Sequence, residues 1–160
     1  MRTALVPIDG SNAALAAVLA VVRQVRRGEV GAVHLVHVQP PVDGYASRFL
    51  GRRAIADWRR EEGDRALGDA RRMLEDAGVP FAAHVGVGAP APTVARLADE
   101  LRADRIVMAT GGDGAFGDLR SRLMVGRVIR LASVPVVAVR NDRPTLRGRL
   151  AADGLQSRPS

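Results

Sequence analysis

The chain has 160 residues, none of them cysteine and none lysine. Without cysteine there are no disulfides, no thiolate metal sites and no cysteine nucleophile. Without lysine, all 24 basic residues are arginine, and this bears on the net charge of +7. A nucleic-acid footprint gathers its basic residues on one face. Here the arginines are spread along the chain, with adjacent pairs at 26–27, 52–53, 59–60 and 71–72, the last two among acidic residues. Aromatic residues make up only 3% of the chain, which leaves little for base stacking. Compositional bias accounts for the arginines more simply, and nucleic acid is not an expected partner. Long apolar runs are missing too. No segment approaches the roughly 18 consecutive apolar residues of a membrane span, and Pro7 and Asp9 interrupt the first apolar run before it could form a signal-peptide core. A cytoplasmic location is expected, with no membrane partner.

Familiar catalytic strings are also absent: there is neither a G-x-S-x-G elbow nor an H-E-x-x-H helix. Of the three histidines, His34 and His37 have opposite parity on one expected strand and so point to opposite faces, while His84 lies on another strand. No metal site and no catalytic residue are expected. Acidic pairs such as Glu61-Glu62 sit beside Arg59, Arg60 and Arg65, as on a solvated helix face with i,i+4 ion pairs.

What the sequence does have is alternation. Short apolar runs at Ala4–Ile8, Val33–Val38, Phe81–Val85, Ile106–Met108 and Val136–Val139 read as five strands, apolar nearly throughout, as strands covered on both faces are. Between them apolar residues recur at helical spacing: Leu15, Val18, Leu19 and Val22; Ala66, Ala70, Met73, Leu74 and Ala77; Val94, Leu97, Ala98 and Leu101; Val125, Val128, Ile129 and Ala132. Each stripe is expected to face a parallel sheet. Ser11 or Asn12 suits an N-cap, Gly28 and Gly78 suit C-terminal caps, and Pro90 and Pro92 suit a helix start. Two segments fall outside the pattern: a long connection of mixed character, Pro40–Arg53, and residues Asn141–Ser160, expected to be a disordered basic tail behind a single domain of residues 1–140.

The segment from Ile106 to Val139 is the most suggestive. An apolar strand empties into Gly112-Asp113-Gly114-Ala115-Phe116-Gly117, a literal G-x-G-x-x-G string ahead of a helix. Such turns can cradle phosphate on backbone amides. A dinucleotide fingerprint, however, needs an acidic residue about twenty positions on for the ribose, and the stretch Leu131–Val137 has none.

Compared whole, Met108-Ala109-Thr110-Gly111-Gly112-Asp113-Gly114-Ala115 through Ala132-Ser133-Val134-Pro135-Val136-Val137-Ala138-Val139 resembles the universal stress protein (UspA) family. The start, Ala4-Leu5-Val6-Pro7-Ile8-Asp9-Gly10-Ser11, is similar to the family's first strand and D-G-S turn; Val33-His34-Leu35-Val36-His37-Val38 is similar to its second strand, and Gly88-Ala89-Pro90 to its G-x-P. The resemblance implies a three-layer α/β sandwich of the adenine nucleotide alpha hydrolase-like kind, with a five-stranded parallel sheet in the order 3-2-1-4-5. It also implies a ligand crevice between strands one and four, and a homodimer formed through Val136–Val139.

ATP-binding members carry a glycine, two residues, a glycine, nine residues, then glycine and serine or threonine. Counting back from Pro135 without a gap sets Ala109, Gly112, Arg122 and Leu123 at those four positions, so one of the four is kept. Taking Gly126 as the third glycine needs four inserted residues and ends in Arg127, again without a hydroxyl. Glycine lets backbone approach phosphates and the hydroxyl bonds them; an arginine nearby can bind an anion by charge instead. Candidate crevice residues are Pro7, Asp9, Val38, Met108, Ala109, Gly112, Arg122 and Leu123. Asp9 has a second role open to it, accepting amides at the start of the first helix.

The expected function is a cytoplasmic stress-response and regulatory protein of the branch without a complete ATP motif. It would act as a homodimeric binding module rather than an enzyme, and with no cofactor. The alternative is an ATP- or AMP-binding stress protein using the same crevice, with slow ATP hydrolysis.

Overall fold

A computed structural model describes residues 1–112 and 114–141; the expected tail lies outside the described residues except for Asn141. Element order is β1 (Thr3–Pro7), α1 (Asn12–Arg26), β2 (Ala32–Gln39), α2 (Gly44–Phe49), α3 (Arg52–Asp76), β3 (Phe81–Val87), α4 (Pro90–Glu100), β4 (Arg105–Thr110), α5 (Gly114–Leu131) and β5 (Val136–Arg140). All strand pairs are parallel and the sheet order is β3-β2-β1-β4-β5. The expected order is thus borne out. No helix among the described residues is long and apolar enough to cross a membrane.

Strand parity splits the core in two. Val33 and Leu35 of β2, with Ala4 and Val6 of β1, face α1 and α3; Val36 of β2, with Leu5 of β1 and Ile106 and Met108 of β4, faces α4 and α5. Leu5, Leu35, Leu67, Leu74 and Ile106 are fully buried, each contributing about 1.5–3 kcal/mol. These two apolar layers make the sandwich.

The helix ends follow from local chemistry. The Ser11 hydroxyl caps α1 by accepting from the Ala14 amide (3.3 Å). Gly28 and Gly78, just past α1 and α3, take φ of 72° and 66°, the left-handed turn that closes a helix and that other residues adopt at a cost.

Leu19 and Ile129 depart from expectation. Both are exposed, because Val18, Val21 and Val22 on α1 and Val125 and Val128 on α5 already fill the sheet-facing stripes. The Pro40–Arg53 connection is also more ordered than its composition suggests. Asp43 caps α2 by accepting from the Ala46 amide (2.6 Å), and α3 begins at Arg52, well before its first buried residue, Gly63.

Candidate functional site

In a parallel sheet the chain leaves neighbouring strands in opposite directions at the point where the order reverses, which opens a crevice beyond their carboxyl ends. Here β1 and β4 are neighbours whose following helices, α1 and α5, pack on opposite faces. A crevice of about 820 Å³ opens there, within the usual range for small-molecule sites.

Seven of the eight candidate residues line it: Pro7 and Asp9 beyond β1, Val38 from β2, Met108 and Ala109 from β4, Gly112 from the turn and Leu123 from α5. Val36, Pro90, Ala91 and Val94 extend the apolar wall. Arg122 is not among the lining residues. Its guanidinium pairs with the Asp118 carboxylate one turn back (3.0 Å).

Helical phase explains the exchange. Val125 and Val128 point α5 into the core, so the neighbouring stripe at 120, 123, 124, 127 and 131 faces the crevice, and 122 falls off it. That stripe brings in Arg120, which sequence reasoning missed, and Arg127, which it met only in the gapped register and did not carry into the candidate set. Two turns separate them, about 10 Å along the axis. Neither has a carboxylate within ion-pair reach among the described residues. Phase counted from Val125 and Val128 was the signal that could have found them.

Asp9 serves the helix start and the crevice together. Its Oδ1 accepts from the Ser11 amide (2.9 Å) and hydroxyl (2.5 Å), which fixes the turn after β1, while the residue borders the cavity. Gly10 between them has φ 84°.

The entrance to the glycine-rich turn is bonded to its surroundings. The Gly111 amide donates to Ser121 Oγ (3.1 Å), and that hydroxyl donates to the Asp118 carbonyl (2.9 Å). Asn141 ties down the other side, its amide donating to the Thr110 carbonyl (2.8 Å) and its side chain to the Gly111 carbonyl (3.2 Å). A β-carbon on Gly112 would lie 2.7 Å from the Gly117 carbonyl carbon. Gly112 and Gly117 are therefore explained by their own close approach, without a phosphate. No cluster of three metal-ligating side chains exists among the described residues.

Away from the crevice, His34 and His84 meet on the α4 face of the sheet, Nδ1 to Nε2 at 2.9 Å, one nitrogen donating and the other accepting. Burial, and secondarily the neighbouring His84, holds the His34 imidazole below its ordinary pKa. His37, on the opposite face as its parity predicts, donates from Nδ1 to the Ile8 carbonyl (2.8 Å) and braces the end of β1.

Residues 1–140 match the model of the universal stress protein family. A universal stress protein of Methanocaldococcus jannaschii is 29% identical over 147 residues, 87% of this chain and 82% of the relative. Among solved structures, a universal stress family protein from Burkholderia pseudomallei matches with TM-score 0.64 at 28% identity, over 86% of this chain and 94% of the other. A universal stress protein solved in complex with cAMP matches with TM-score 0.66 at 25% identity, over 86% and 96%.

Proposed function

The chain belongs to the universal stress protein family, and from that premise we propose a regulatory binding module whose crevice takes a singly phosphorylated adenine nucleotide, AMP or cAMP, in preference to ATP. The observation that carries this reading is the pair Arg120 and Arg127, without carboxylate partners among the described residues and lining a cavity of about 820 Å³ that is largely apolar apart from Asp9, Ser11 and Ser121. Apolar walls from Val36, Val38, Met108 and Pro90 suit a base, and a guanidinium at the crevice suits a phosphate. The relative solved with cAMP supports the ligand class.

The same crevice is poor for a triphosphate. Leu123 stands at the hydroxyl position, and the Gly111 amide, a donor that could have served a phosphate, is spent on Ser121. This keeps the expectation of an incomplete ATP motif. It moves the balance, however, from an empty module towards a nucleotide-binding one, because the two lining arginines supply by charge what the turn no longer supplies by backbone.

Isothermal titration with AMP, cAMP, ADP and ATP, with and without magnesium, tests this. Micromolar AMP or cAMP, with ATP at least about tenfold weaker, is the expected outcome, and Arg120→Gln with Arg127→Gln should abolish the monophosphate signal. Each charge-assisted hydrogen bond lost costs about 1.5–3 kcal/mol, so a tenfold or larger effect per arginine is anticipated. Silence with both monophosphates, or ATP as the tightest ligand, would overturn the reading. Arg122→Gly with Leu123→Ser should raise ATP affinity; no gain would discredit the alignment that puts Leu123 at the hydroxyl position.

A further inference from the structure

From Asp43 to Glu62 no residue is buried, and α2 buries none of its six. Helix α3 has 25 residues, about 37 Å, whereas the eight residues of β2 span about 26 Å. The surplus lies at the start of α3, whose first three turns precede Gly63, its first buried residue. The part of α3 before Arg59, which is bonded to the last residue of β2, therefore runs past the end of that strand. Buried Gln39 staples the base of the overhang: its Nε2 donates to the Arg59 carbonyl (2.8 Å), and Arg59 donates back to its Oε1 (3.3 Å).

Two kinds of side chain occupy the tip. Tyr45 and Phe49 are 75% and 73% exposed, their rings held in a tilted contact at 5.1 Å, and Leu50 and Trp58 are exposed beside them in sequence. A chain with so few aromatics has left two of them three-quarters exposed and Trp58 nearly half exposed in this one stretch. Arg48, Arg52 and Arg53 are the second kind. Further along α3 the arginines are paired with carboxylates, Arg60 with Asp57, Arg65 with Glu62, Arg71 with Asp64 and Arg72 with Asp69, while these three have no such partner among the described residues.

We propose that this tip is a peripheral contact for an anionic lipid bilayer. Tyr45, Phe49, Leu50 and Trp58 would enter the boundary between headgroups and acyl chains, where amphipathic aromatics are favoured. Arg48, Arg52 and Arg53 would lie along lipid phosphates with their aliphatic stems in the same boundary. Charge complementarity selects the occupant. A second copy would bring like-charged tips together, and a projecting tip with an aliphatic Leu50 lacks the basic groove that single-stranded nucleic acid follows. The expectation of no membrane partner rests on the want of a spanning segment; no helix among the described residues is long and apolar enough to cross a bilayer, and a surface contact needs none.

Trp58 is the sole tryptophan and reports on the site directly. The full chain is mixed with vesicles of phosphatidylcholine alone or with phosphatidylglycerol added. Co-flotation with the anionic vesicles only, a blue shift of Trp58 emission and its quenching by brominated lipid are the expected results. Tyr45→Ser with Phe49→Ser should remove the flotation. Arg48→Gln, Arg52→Gln and Arg53→Gln should each weaken it about fivefold. These positions are exposed, so folding is checked by an unchanged melting curve, and AMP titration of the same variants should be unaltered. Failure to float with anionic vesicles at low salt would overturn the proposal. So would flotation undiminished in the variants, or Trp58 quenching by duplex DNA that competes with the vesicles.

Discussion

Two glycines of α5 separate packing from propensity at the scale of single residues. A β-carbon on Gly117 would lie 2.9 Å from the Gly112 carbonyl carbon, whereas one on Gly126 would meet nothing within 4 Å. Alanine in a helix is worth about 0.5–1 kcal/mol over glycine, and a backbone clash costs about 1–3 kcal/mol. Gly126→Ala should therefore raise the urea midpoint of unfolding and Gly117→Ala should lower it; a rise in both would mean that the G-x-G-x-x-G string is not held by its own close approach. Sequence alone exposed that string and made it look like a phosphate loop, because a glycine kept for backbone contact is spelled like one kept for a ligand. Arg122 misled for a related reason. Motif counting assigns a position along the chain, but which way the side chain points depends on helical phase, which the core residues Val125 and Val128 set.

Elements were legible to the extent that they bury something. All five strands and four of the helices announced themselves through apolar spacing, and the boundaries moved outward by one or two residues in most strands because pairing outlasts the apolar run. Helix α2 and the first half of α3 left no periodic trace, since a segment without a buried face has no apolar period to show. The fifth strand carries a prediction of its own. Its odd residues engage β4, as the bonds from Ile106 to the Pro135 carbonyl and from Asn141 to the Thr110 carbonyl show, so by alternation the amides of Val136 and Ala138 point away from the sheet. We expect a homodimer formed through this edge. Ala138→Pro would remove an outward amide without touching the β4 ladder. Sedimentation should then report a monomer where the parent chain is a dimer; an unchanged dimer would place the interface elsewhere.

For the whole molecule, the order β3-β2-β1-β4-β5 decides where ligand chemistry can occur, because it alone puts Asp9, Ala109, Arg120 and Arg127 around one opening. That much followed from recognising β-α alternation and family-like strings together. The pH response of stability, in contrast, is expected from a group that parity could suggest and only packing could place, His34, which meets His84 between β2 and β3. Burial first, and the nearby His84 second, depress the His34 pKa from its ordinary value near 6.5. The unfolded chain therefore binds more protons than the folded one once pH falls below that ordinary value, and stability present above it is lost progressively as pH falls towards the folded pKa. Unfolding midpoints in urea should accordingly drop between pH 7.5 and pH 5. His34→Leu should flatten that slope, since it removes the half-buried imidazole. His84→Gln should leave most of it, since desolvation is the larger cause and remains. Equal flattening by both substitutions would make the ring pair, rather than burial, the origin of the acid sensitivity.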